Sequence, residues 1–147
     1  MAELTDKRLF LLDMDGTLYL DDDLFPGTIP FLRRIREKGG RYLFLTNNSS
    51  RGADSYVEKL RRLGIGSVPE DFLTSVDALV LFLRKGDYQG KPLYVAGTES
   101  FRRQLRQAGF SVTSDREEAE VLICGFDTEL TFQKLEDSCI LLNRGAE

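Results

Sequence analysis

The apolar run Leu9–Leu12 ends abruptly in two carboxylates, Asp13 and Asp15, one residue apart and followed by Gly16 and Thr17. Such a run reads as a buried parallel strand. Its end then lies at the carboxyl edge of a sheet, where α/β proteins bind ligands. Two acids at that edge repel each other unless something positive joins them. A divalent metal, a phosphoryl group, or both account for the pair.

The rest of the chain repeats the strand-helix alternation. The first strand spans Arg8 to Asp13, and Tyr19 to Phe25 reads as a small flap or hairpin, with Asp21 to Asp23 either its turn or, equally, a solvated acidic loop. A helix is predicted from Pro26-Gly27, with Ile29, Leu32 and Ile35 at helical spacing and Gly39-Gly40 as the stop. A second apolar strand, Arg41 to Thr46, ends in Thr46, Asn47, Asn48, Ser49 and Ser50. A helix from Gly52 to Leu63 follows, with Gly64 as its C-terminal cap. The β-α-β crossover is expected to be parallel and right-handed. Parallel neighbours lie roughly 4.8 Å apart, so Asp13 and Thr46 can face one pocket.

Beyond Gly64 the character changes. Pro69 to Ser75 reads as a connector, and Ser75 as the cap of a helix over Val76 to Arg84. Strands are predicted at Lys91 to Ala96, Phe110 to Thr113 and Glu120 to Cys124. Thr98 and Thr131 are the expected caps of helices reaching Ala108 and Asn143. The fold class is therefore α/β, a Rossmann-like parallel-sheet half core over residues 1–72 followed by a second α/β unit over 73–147.

Composition narrows the chemistry. The 147 residues carry a net charge of −4, which gives no basic footprint for nucleic acid. No apolar run approaches a membrane span, and the N-terminus shows no signal-peptide pattern. Cys124 and Cys139 make no metal or disulfide spacing and read as small core residues of a reducing, cytoplasmic protein. Histidine is absent, which removes Ser-His-Asp and Cys-His catalysis together. Hydrolytic chemistry here must run on carboxylates, hydroxyls, lysines or a hard cation.

Asp13 and Asp15 suit phosphoryl transfer. One carboxylate can attack phosphorus, and the other can protonate the leaving oxygen and then activate water. A Mg²⁺ ion would screen the charge between the carboxylate and an anionic phosphate. Gly16 permits a tight turn whose amides are expected to hold phosphate oxygens. Thr46 and Asn47 offer donors, and Ser49 to Arg51 lie where a helix start favours anions. A plain turn after a strand is the bland alternative for Asp13 to Gly16; Thr46 and Asn47 at the end of the next strand weigh against it.

These residues resemble a known family. Asp13, Met14, Asp15, Gly16 and Thr17 look like motif I of the haloacid dehalogenase (HAD) superfamily, and Leu43 to Ser50 like its motif II. Tyr19 and Pro26-Gly27 resemble the NagD and p-nitrophenylphosphatase branch, in which a C2-type α/β cap interrupts the core. Leu73 to Ala78, Tyr94 to Thr98 and Val121 to Asp127 are similar to segments of that cap. The resemblance implies a Mg²⁺-dependent phosphomonoester hydrolase acting on a small phosphorylated metabolite. Asp13 would be nucleophile and metal ligand. Asp15 would be general acid/base, with its backbone carbonyl on the metal. Thr46, helped by Asn47, would bind the phosphoryl group.

The family also uses a lysine and a further acidic pair after the cap, and residues 143–147 stand where the strand returning to the core is expected to begin. Gly90-Lys91-Pro92 mimics the surroundings of that lysine but precedes a cap strand, and Asp87 mimics part of the acidic motif after a helix. Asp115, Glu117 and Glu118 read as a solvated turn. On this expectation the chain is truncated. Leu9, Leu11, Leu43 and Leu45 would then be poorly covered, or would pair with another chain, a homo-oligomer included. A non-catalytic binding module is the alternative function. A phospho-accepting receiver domain fits poorly, because receivers place their aspartate at a later strand.

Overall fold

The computed structural model describes residues 6–147, so the reading of the extreme N-terminus lies partly outside it. The chain divides into two compact units. One comprises the residues through Thr46 with Ala53–Leu73, the other Asn47–Gly52 with Thr74–Glu147.

In the first unit β1 (Leu9–Asp13) pairs in parallel with β4 (Arg41–Thr46), Leu9 opposite Arg41 and Asp13 opposite Leu45. Between them lie the short antiparallel strands β2 (Tyr19–Leu20) and β3 (Asp23–Leu24) and helix α1 (Thr28–Glu37). Asp21 at the hairpin turn has φ 52°, a left-handed conformation that aspartate tolerates. Helix α2 (Ala53–Arg62) follows β4. Its Tyr56 and Leu60, four residues apart, are buried, as the helical period requires. The chain leaves the helix through Gly64, with φ 80°, and the Ile65 amide bonds back to the Leu60 carbonyl at 2.8 Å.

The stretch expected as a plain connector differs. Pro69–Asp71 form a 3₁₀ turn, and Phe72–Thr74 form β5, so the sheet has three strands in the order β1-β4-β5. Phe72 explains the strand: its ring packs against Phe44 at 5.3 Å and Tyr56 at 6.1 Å between centroids. This aromatic cluster fills the covered face of the sheet with Leu12, Leu32, Ile35 and Leu60. The opposite face is open at β1, where Leu9 and Leu11 are each 57% exposed; Leu43 and Leu45 are half-buried.

In the second unit α3 (Ser75–Lys85) starts one residue earlier than expected. Thr74, not Ser75, is its cap: the Thr74 hydroxyl accepts from the Asp77 amide, and the Asp77 carboxylate accepts from the Thr74 amide. That reciprocal box satisfies two otherwise unpaired donors. The sheet runs β7-β6-β8, all parallel, from β6 (Leu93–Ala96), β7 (Val112–Thr113) and β8 (Val121–Cys124). Helix α4 (Glu99–Gln107) is capped by Thr98 and α5 (Phe132–Asn143) by Thr131, both as expected. All four β6 residues are buried. The Leu93 and Val95 side chains join Phe101, Leu105 and Val121 in the core, while the Tyr94 hydroxyl donates to Asp137 of α5 at 2.8 Å.

Lys134 fixes the loops at the ends of β6 and β8. Its ammonium donates to the Gly97 carbonyl, the Asp127 carboxylate and the Glu129 carbonyl at 2.8–3.0 Å. Three acceptors match its three donors, the condition under which a buried charge is tolerated. Phe101 lies between two glycines. A Cβ on Gly97 would stand 2.6 Å from the ring, and one on Gly125 would stand 2.6 Å from both the ring and the Ser49 hydroxyl.

Both cysteines are exposed, which corrects their reading as core residues. Cys124 ends β8 on the side opposite buried Ile123, and Cys139 lies on the outer face of α5 beside exposed Leu135 and Leu142. Among the described residues no helix is long and apolar enough to cross a membrane.

Candidate active site

The two aspartates sit where the strand pattern puts them, Asp13 as the last residue of β1 and Asp15 two residues past it, with Met14 between them fully buried. The alternation turns both carboxylates outward and Met14 into the core. The Thr17 hydroxyl donates to Asp13 Oδ2 at 3.0 Å, closing the turn across Gly16, whose φ of 79° favours glycine.

Part of the backbone of this turn is already engaged. The Gly16 amide donates to the Tyr19 carbonyl, and those of Thr17 and Leu18 to the Met14 carbonyl. These three amides are therefore not free to hold phosphate oxygens. The backbone that folds the hairpin onto β1 claims them first.

Thr46 ends β4, 8% exposed, and its hydroxyl donates to the Tyr56 hydroxyl of α2 at 3.2 Å. Lys59, three residues further along α2, reaches Asp15 Oδ1 at 3.2 Å with its ammonium 4.1 Å from the centre of the Tyr19 ring. Tyr19 is completely buried, and among the described residues its hydroxyl makes no hydrogen bond of good geometry. Burial raises the Tyr19 phenol well above its ordinary pKa. The nearby Asp15, Tyr56 and Asp13 groups push in the same direction, because each disfavours a phenolate.

Sequence reasoning named Asp13, Asp15 and Thr46 but missed Tyr56 and Lys59. Their spacing of three on one helix was the available signal; the apolar stripe of α2 concealed it, since Tyr56 also belongs to the core.

Asn47 belongs to the second unit's segment Asn47–Gly52 and is exposed. The serines after it are buried rather than offered to an anion. The Ser49 hydroxyl accepts from the Phe126 amide at 2.8 Å, and the Ser50 carbonyl accepts from the Thr98 hydroxyl at 3.0 Å. The Asn48 carboxamide oxygen caps the turn by accepting from the Ser50 amide. Lys91 pairs with Glu147 at 3.0 Å, and the Asp115 carboxylate accepts from the Glu117 amide, as a turn residue does.

The donor set suits a hard cation in part. Asp13 and Asp15 present exposed anionic oxygens, the ligand type Mg²⁺ prefers. Among the described residues no three acidic, histidine or cysteine side chains gather into one metal site. A Mg²⁺ ion here would keep waters or take further oxygen ligands.

Comparison with known proteins finds relatives along nearly the whole chain. A family model described as haloacid dehalogenase-like hydrolase matches residues 10–111. An acid sugar phosphatase of Staphylococcus aureus is 30% identical over 139 residues, 95% of this chain and 53% of that protein. The crystal structure of a 4-nitrophenylphosphatase from Thermotoga maritima superposes with a TM-score of 0.85 at 38% identity, over 95% of this chain and 52% of that one. A glycerol phosphate phosphatase from Mycobacterium tuberculosis, crystallised with magnesium, superposes with a TM-score of 0.86 at 26% identity, over 95% and 42%. The chain spans about half the length of the relatives it matches.

Proposed function

This chain belongs to the haloacid dehalogenase-like hydrolases, and on that premise we propose that it carries the nucleophile half of a Mg²⁺-dependent phosphomonoester hydrolase. The carrying observation is the Asp13/Asp15 pair at the end of β1, in the same unit as Thr46 at the end of the neighbouring strand. The relatives' names, acid sugar phosphatase and 4-nitrophenylphosphatase, support small phosphorylated metabolites as the substrate class. In this reading the first unit is the N-terminal half of the core and residues 73–147 are part of the cap.

An Asp13 carboxylate oxygen bonds to phosphorus while the bond to the alcohol oxygen breaks, and Asp15 gives that oxygen its proton. Asp15 then takes a proton from water, the water oxygen bonds to phosphorus, and the bond to Asp13 breaks. Thr46 donates to the phosphoryl oxygens by turning its hydroxyl from Tyr56, with Asn47, next in the chain, as a second donor. A bound Mg²⁺, held by the Asp13 carboxylate and the Asp15 carbonyl, would lower the repulsion between carboxylate and phosphate. The magnesium complex of the Mycobacterium tuberculosis relative supports this choice of metal.

The test is p-nitrophenyl phosphate hydrolysis by the full natural gene product, with Mg²⁺ and with chelator. Asp13→Asn should lower kcat by about a thousandfold or more, since an amide is a poor nucleophile at phosphorus. Full turnover in that variant would sink the mechanism.

A further inference from the structure

Two ion pairs on α2 differ in kind. Arg61 and Glu58 meet at 2.8 Å with side chains 70% and 56% exposed, an ordinary surface pair. Lys59 points to the other side of the helix and is only 15% exposed. Its ammonium is gripped from two directions, by the buried Tyr19 ring at 4.1 Å and by Asp15 Oδ1 at 3.2 Å. A cation over an aromatic face, away from bulk water, is held more firmly than one in solvent.

Asp15 needs such a partner. It lies past the end of β1, and its side chain is 58% exposed. A proton-transfer group must be held near its productive geometry by its neighbours. The Lys59 contact spans 44 residues of chain, so it ties the turn after β1 to a helix anchored in the core by Tyr56 and Leu60.

We propose that Lys59 is a positioning residue for Asp15: clamped on Tyr19, its ammonium fixes one carboxylate oxygen and leaves the other for proton transfer. The inference rests on the phosphatase reading above. The Tyr19 ring is part of the device, because it sets the height and direction of the ammonium.

The experiment compares Lys59→Met, Lys59→Gln and Lys59→Arg in the full natural gene product, using p-nitrophenyl phosphate with saturating Mg²⁺. Lys59→Met keeps the stem over Tyr19 and removes the charge, and Lys59→Gln guards against a single misfolded variant. Both should lower kcat by about 10- to 100-fold, the scale of a misplaced catalytic group, with KM within about twofold of wild type. Lys59→Arg should return kcat to within about threefold of wild type, because a guanidinium can also bridge ring and carboxylate. Thermal unfolding midpoints report whether each variant is folded. Wild-type kcat in Lys59→Met, a loss confined to KM, or equal losses in the Arg and Met variants would overturn the proposal while leaving the phosphatase reading intact. An inactive wild type, or an Asp13→Asn variant as active as wild type, would overturn that reading and this inference with it.

Discussion

The two parallel sheets of this chain are built to different standards of cover. Strand β6 of the second unit is buried along its whole length, with Leu93 and Val95 facing one apolar layer and Tyr94 bonded to α5. Strand β1 of the first unit is packed on one side by Leu12 and partly by Phe10, while Leu9 and Leu11 face outward. Both are apolar runs, and the pattern of one strand cannot say how many of its faces will find partners. The end of β6 is held by this packing and by the Lys134 ammonium on the Gly97 carbonyl. The end of β1 is instead held by the Thr17–Asp13 and Lys59–Asp15 contacts.

The largest test of this contrast is Leu93→Ala. Leu93 is fully buried, and its truncation should cost about 2–5 kcal/mol in urea unfolding. Next is Asp137→Ala, which strands the Tyr94 hydroxyl and should cost about 1–3 kcal/mol. Asp137 also predicts a pH dependence. Burial alone would raise its pKa, but hydrogen bonds from Tyr94, Gln133 and Arg116 outweigh it and hold the carboxyl below its usual range. A depressed folded pKa gives stability that is present above the unfolded value of about 3.9. It is lost as pH falls through the folded value. Acid unfolding should therefore shift less with pH in Asp137→Asn than in wild type. Thr74→Ala removes the α3 cap and should cost about 1 kcal/mol. The smallest effect belongs to Leu11→Ala on the open face, within about 0.5 kcal/mol. A loss of several kcal/mol there would mean that this face is covered in solution, and the contrast would collapse.

The order of elements was legible because apolar runs and caps such as Thr98 and Thr131 are local signals. The strand Phe72–Thr74 was not, since three residues carry no period and its reason is the long-range packing of Phe72 on Phe44. At the site, Asp13, Asp15 and Thr46 were readable from strand ends. The occupied amides of Gly16, Thr17 and Leu18 were not, because their acceptors depend on how the hairpin folds back. Lys59 and Tyr56 stayed hidden because a helix face reveals its partner only in three dimensions. The cysteines misled for a related reason: residue type predicts average burial, while position on β8 and α5 decides the actual one.

The ring of Phe101, flanked by Gly97 and Gly125, has a consequence for mutational access. At these two positions every single-residue replacement adds atoms, and none can remove any. A Cβ would stand 2.6 Å from the ring at either, and at Gly125 equally close to the Ser49 oxygen. The route by which a core usually tolerates change, one side chain shrinking as another grows, is open only through Phe101 itself. A substitution at 97 should therefore survive only alongside a smaller residue at 101, and one at 125 only if Ser49 is changed as well, which links these positions in sequence drift.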